Sequence, residues 1–157
     1  MAMALCAAAS FACIWSAGPT IARNRDARAF AAFIQAHEKP GDRVFSFGFY
    51  PQTLPVYLKR PIGVAAFEGE LEFGISKLSE EERSERFPTA RAFASLWNSP
   101  TRVWCVVDRD GLRKINAGKF DPGKLGSDTL GPPTVLLEEK QVLLVTNRPI
   151  GGSDGGS

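Results

Sequence analysis

RVFSFGFYPQTLPVYLKRPIGVAAFEGELEFG, residues 43–74, decides how the rest of this chain is read. Residues 43–47 form a short, apolar, aromatic run between turn residues, the signature of a buried strand. Pro51 and Pro55 exclude a long helix after Gly48. A short one remains open, with Thr53 as its cap and Pro55 in the first turn, where proline is tolerated. Leu54, Tyr57 and Leu58 then share a face, residues 59–61 (KRP) end the element, and residues 62–67 read as a second strand. Strand, short helix, strand predicts a compact parallel βαβ unit. It places Gly48 and Tyr50 at the carboxyl end of the first strand, where open α/β sheets usually hold ligands.

Three carboxylates close the stretch. Glu68, Glu70 and Glu72 alternate with Gly69, Leu71 and Phe73, so an extended backbone puts the three acids on one face. Such a row suits a hard cation, or raises one pKa by mutual repulsion; it is equally the pattern of a solvated strand face. Tyr50 and Tyr57 have two readings, as packing residues with a surface hydroxyl or as the lining of a sugar or carrier-lipid site. Lys59 and Arg60 suit lipid phosphates at a membrane surface, and they equally suit the C-terminal end of a helix.

Upstream, residues 24–38 predict a helix capped by Asn24, with Ala27, Phe30, Ala31 and Ile34 on its apolar face and His37 near its C-terminus. Pro40-Gly41-Asp42 stops it before the first strand. Downstream, Ser79 and Glu82 form a capping box for a helix to about Arg86. A helix started by Pro88 follows, burying Phe93, Leu96 and Trp97. Residues 102–107 are apolar almost throughout, as a central strand buried on both faces should be, with Cys105 as an inert core thiol. Asp108 then caps a helix over residues 109–117; Asp108 and Asp110 are also conceivable ligands at the strand end. Residues 120–133 form a loop rich in Gly, Pro, Asp and Lys. Residues 134–137 and 142–146 make an antiparallel hairpin at one side of the sheet, and residues 150–157 are a low-complexity tail. The sum is an α/β fold: a layered α/β/α domain over residues 23–149, with a mixed, mainly parallel sheet of about four to five strands.

Residues 1–22 carry no charge, and that is about the ~20-residue length of a membrane-spanning helix. The run lacks the basic start of a signal peptide, which leaves a buried soluble helix or the end of a last transmembrane span. Arg23, Arg25 and Arg28 follow it, which by the positive-inside tendency favours a cytoplasmic side, diluted by Asp26.

Composition narrows the function. The chain has 157 residues, 44% of them hydrophobic, enough for one domain with one core. Its 19 basic and 17 acidic residues are scattered, giving +2 and no basic patch for nucleic acid. Three cysteines and one histidine argue against a disulfide framework, a zinc site or a histidine-based triad. No glycine-rich dinucleotide fingerprint, phosphate loop or serine nucleophile elbow is present.

The order Phe49-Tyr50, Leu54-Pro55-Val56-Tyr57-Leu58, Arg60-Pro61, Gly69-Glu70-Leu71 and Phe73-Gly74 resembles the C-terminal soluble domain of bacterial membrane glycosyltransferases. The family in question is the aminoarabinose transferase-like one, within the class that includes protein mannosyltransferases. Phe93, Trp97 and residues 143–147 (LLVTN) continue the pattern. The resemblance implies an integral inner-membrane enzyme that moves a sugar from a polyprenyl-phosphate carrier to lipid A or another acceptor on the periplasmic side. Catalytic acids would lie in loops between early transmembrane helices, and full-length enzymes of this kind often use a divalent cation. By that resemblance residues 1–22 are the end of the last span, and this chain holds no catalytic residue and no cofactor of its own. Its partners would be the membrane domain of the same polypeptide, the bilayer surface and the polyprenyl-phosphate sugar. Tyr50, Tyr57, Lys59, Arg60, Glu68, Glu70 and Glu72 are then candidates for substrate contact or for docking on the membrane domain. A reading from the residues alone stays open beside it: a membrane-tethered α/β binding or scaffolding module without catalysis.

Overall fold

In a computed structural model of the chain, residues 27–66, 72–117 and 130–150 are described. In chain order they form α1 (Arg28–His37), β1 (Arg43–Phe47), α2 (Thr53–Leu58), β2 (Gly63–Ala65), α3 (Glu72–Ile75), α4 (Glu80–Arg86) and α5 (Ala90–Trp97). After these come β3 (Val103–Asp108), α6 (Arg109–Asn116), β4 (Thr134–Glu139) and β5 (Val142–Thr146). The five strands make one sheet in the order β2-β1-β3-β5-β4. β1 pairs in parallel with β2 and β3, and the β4–β5 hairpin closes the other side antiparallel to β3. The sheet is therefore mixed, as expected.

Alternation along the strands divides the core into two layers. Val44, Trp104, Val106 and Leu144 meet Phe30, Ala31 and Ile34 of α1 and Leu54 and Leu58 of α2. Phe45, Phe47, Cys105, Val107, Leu143 and Val145 meet Phe93 and Trp97 of α5 and Ile115 of α6. Val103 through Val107 are all fully buried, so β3 is covered on both faces and paired on both edges. Phe93 holds the second layer together, with its ring 5.3 Å from that of Phe45 and 5.9 Å from that of Trp97.

Local capping chemistry sets several boundaries. Ser79 and Glu82 form the reciprocal capping box at α4, and the Asp108 carboxylate accepts from Gly111 N–H at 2.6 Å to start α6. Asp42 shapes the turn between α1 and β1. Its carboxylate accepts from Lys39 N–H at 3.0 Å and from the Trp104 indole at 2.9 Å, with Arg102 at 3.9 Å. His37 ends α1 stacked on Phe33, with its Nδ1 2.8 Å from the Phe33 carbonyl oxygen.

Several boundaries differ from the sequence expectation, four of them with a visible cause. α1 begins at Arg28 with Ala27 at the cap, and Asn24 lies outside the described residues. Thr53 is the first residue of α2 rather than its cap; its hydroxyl accepts instead from Ala27 N–H at 3.3 Å, so a tertiary contact takes the group that sequence assigned locally. β2 spans only Gly63–Ala65 and not residues 62–67, because Ala66 turns into the left-handed region at φ 53° and breaks the ladder. α5 starts at Ala90, with the Thr89 hydroxyl accepting from Ala92 N–H at 3.2 Å, two residues later than Pro88 suggested. The apolar run at 1–22 and the tail at 151–157 fall outside the described residues.

Gly63 sits opposite Phe45 in the β1–β2 register, and a Cβ added there would lie 2.1 Å from the Phe45 ring. Phe93 stops that ring from swinging aside. Gly63→Ala should therefore cost about 1–3 kcal/mol, read from the denaturant midpoint. Burial raises the Cys105 thiol far above its ordinary value of 9.0. The folded thiol keeps its proton where the unfolded one loses it, so its share of stability is complete below pH ~9 and is lost above it. Between pH 8 and 10 stability should therefore fall by about 1.4 kcal/mol more than it does in Cys105→Ala, measured by chemical denaturation at the two pH values.

Candidate functional site

The residues singled out from sequence are placed by α1 and α2, which lie side by side and run in the same direction. Their starts are joined through Ala27 and Thr53, and their ends through an ion pair between Glu38 and Arg60. Tyr57 spans the distance between. Its side chain leans back along α2, as helical side chains do, so that Arg28 donates to its hydroxyl at 3.3 Å and the guanidinium lies 5.3 Å from the ring centre. Its backbone carbonyl accepts from the Gln35 side chain at 3.0 Å. Tyr57 and Arg60 thus work in helix–helix packing.

Lys59 is the left-handed C-cap of α2, at φ 54°, with an exposed side chain. Tyr50 is partly buried against the α1–α2 layer in the loop that follows Gly48. The structure separates these residues. Tyr50 lies at the carboxyl end of the parallel strands, whereas Lys59 and Arg60 lie at the far end of α2, beside the amino end of the sheet.

Glu68 and Glu70 lie outside the described residues. Glu72 opens the helix α3, so the extended alternation expected through residues 68–72 does not run through its last member. Asp108 is committed to capping α6, and Asp110 is paired with Arg113 on the same helix. Among the described residues, no three His, Cys, Asp or Glu side chains come together as metal ligands would. No helix among them is long and apolar enough to cross a membrane.

An open cleft of about 380 Å³ lies at the amino end of β3, lined in part by Trp97, Asn98, Gly131, Asn147 and Arg148. Its polar groups serve the fold. The Asn147 amide oxygen accepts from Val103 N–H at 2.8 Å, and its NH2 donates to the carbonyls of Trp97 at 2.7 Å and Thr101 at 2.9 Å. Gly131 is held from both sides, donating to Asn98 Oδ1 at 2.8 Å and accepting from the Trp97 indole at 2.9 Å. Asn147 was legible in sequence only as the last letter of LLVTN; an amide directly after a strand was the available signal.

A family model, the aminoarabinose transferase C-terminal domain, matches residues 30–131. Two crystal structures of ArnT from Cupriavidus metallidurans are similar. The apo form gives a TM-score of 0.60 at 20% identity, over 80% of this chain and 20% of that one. The form bound to undecaprenyl phosphate gives 0.60 at 20% identity, over 82% and 21%. This chain therefore spans about a fifth of the length of the proteins whose fold it shares. A search of curated proteins gives no match.

Replacing Asn147 by Ala leaves one backbone N–H and two carbonyls at the end of β3 without partners. Unfolding free energy should drop by about 2 kcal/mol. Asn147→Asp should not rescue it, because a carboxylate oxygen would then face the Trp97 and Thr101 carbonyls; a chemical denaturation series checks both.

Proposed function

Because the chain belongs to the aminoarabinose transferase C-terminal domain family, we propose that it is the C-terminal, extracytoplasmic domain of an integral-membrane glycosyltransferase. That enzyme would take a sugar from a polyprenyl-phosphate carrier and pass it to lipid A or another acceptor. The family match carries this reading. The shared fold with ArnT, one structure of which holds undecaprenyl phosphate, supports it. Residues 1–22 would then be the end of the last span, and the catalytic acids would belong to the membrane part of the polypeptide.

What the described residues do is consistent with a supporting role. Three of the residues that looked most chemical are engaged in a cap, an ion pair and helix packing: Asp108 at α6, Arg60 with Glu38, and Tyr57 with Arg28. A rigid α/β layer of this kind contributes by holding loops in place, because a site built on packed elements keeps its geometry better than one on loops alone. Tyr50, in the loop at the carboxyl end of β1, is the candidate that remains suited to contact the rest of the enzyme. Lys59 stands at the opposite end of α2.

The test is transfer of labelled sugar from a polyprenyl-phosphate donor to lipid A. Membranes carrying the domain joined to its membrane part should support it, and purified 1–157 should give none. Sugar transfer by purified 1–157 would refute the placement of the chemistry in the membrane part.

A further inference from the structure

We propose that the amino end of the parallel strands is a binding site for a phosphorylated saccharide, with phosphates on a row of cations and sugar hydroxyls in the cleft beside Asn147. The inference stands on the described residues alone and does not depend on the glycosyltransferase reading. The sequence scatters these cations, and the sheet topology collects them. β1 pairs in parallel with β2 and β3, and β5 runs antiparallel to β3. The residues that enter β2, β1 and β3 therefore share one end of the sheet with those that leave β5. Arg60, Arg43, Arg102 and Arg148 stand there in that order, one at each of four neighbouring strands. Three inter-strand steps of about 4.8 Å give the row a length of ~14 Å. Lys59 adjoins Arg60, and Lys39 follows Glu38, the ion-pair partner of Arg60.

Three acids share this end, and each is already engaged. Glu38 pairs with Arg60, and Glu85 pairs with Arg43. Asp42 accepts from Lys39 N–H and the Trp104 indole, with Arg102 at 3.9 Å. Glu80, Glu81 and Glu82 belong to the first turn of α4, whereas Glu85 lies in its last. The exposed side chains of Lys39, Lys59 and Arg148 have no carboxylate partner among the described residues. The opposite end has the reverse balance, with Asp108, Asp110, Glu138 and Glu139 against Arg28, Arg109 and Lys140. A row of cations suits several anionic groups carried by one molecule, and guanidinium forks match phosphate oxygens. The cleft supplies the other half of the recognition. At about 380 Å³ it falls within the size range of small-molecule sites. Its amides are spent on the fold, which keeps its walls in place. Thr134 and Arg148 also line it, one offering a hydroxyl and the other a guanidinium whose bond to the Ser99 carbonyl is 3.4 Å long. A hydroxyl and a cation beside a polar wall fit a sugar that bears phosphate.

The test titrates the full 157-residue chain, in an uncharged detergent that carries no sugar, with fructose 1,6-bisphosphate, fructose and inorganic phosphate. The NMR shift of the Trp97 indole N–H, which donates to Gly131 in the cleft, follows binding. The bisphosphate should bind several-fold more tightly than fructose or phosphate, and added salt should weaken that advantage. Lys59→Gln and Arg148→Gln, both at exposed positions, should each weaken the bisphosphate several-fold, and Arg148→Lys should keep part of the loss from appearing. Arg113→Gln, which removes a cation paired with Asp110 on α6 and off the row, should leave binding unchanged. A bisphosphate that binds no more tightly than inorganic phosphate overturns the site. An equal loss in Arg113→Gln overturns the row, since diffuse charge would then account for the binding.

Discussion

The structure depends on the complete burial of β3. Five consecutive side chains, Val103 to Val107, are withdrawn from water, which requires a strand on each edge and helices on each face. β1 and β5 meet the first demand; the α1–α2 layer and the α5–α6 layer meet the second. Backbone polar groups at the ends of such a strand cannot be left dry. At the amino end, Arg43 N–H donates to Arg102 O on one side and Asn147 accepts from Val103 N–H on the other. At the carboxyl end the strand passes directly into a helix capped by Asp108.

Much of this was legible because its causes are local. A near-continuous apolar run marks a central strand, Ser79 and Glu82 mark a helix start, and Asp108 marks another. The α/β/α layering follows from the order of those elements. The errors share a different origin. Thr53 was read as a cap, yet its hydroxyl serves Ala27, 26 positions earlier in the chain. Alternating glutamates suggested a strand, but Ala66 breaks the ladder and Glu72 begins a helix. Asn147 makes three bonds, all to partners more than forty positions away, which no window of neighbouring residues contains.

The candidate site shows the same division. Tyr57 and Arg60 stood out for their chemistry, and the fold engages both in joining α1 to α2. Family membership, carried by residues 30–131, says more about role than any constellation among the described side chains. Two contacts, Ala27 with Thr53 at the start and Glu38 with Arg60 at the end, hold α1 and α2 side by side in the same direction.

One edge of the sheet has a separate consequence. β4 is an outer strand whose pairing slips between Val135 and Leu137 and whose end carries Glu138, Glu139 and Lys140. The opposite outer strand, β2, has three residues and ends at a left-handed alanine. An irregular, charged margin and a very short one are both poor templates for a strand from another molecule. Copies of this domain brought side by side at high concentration would therefore resist zipping into a shared ribbon.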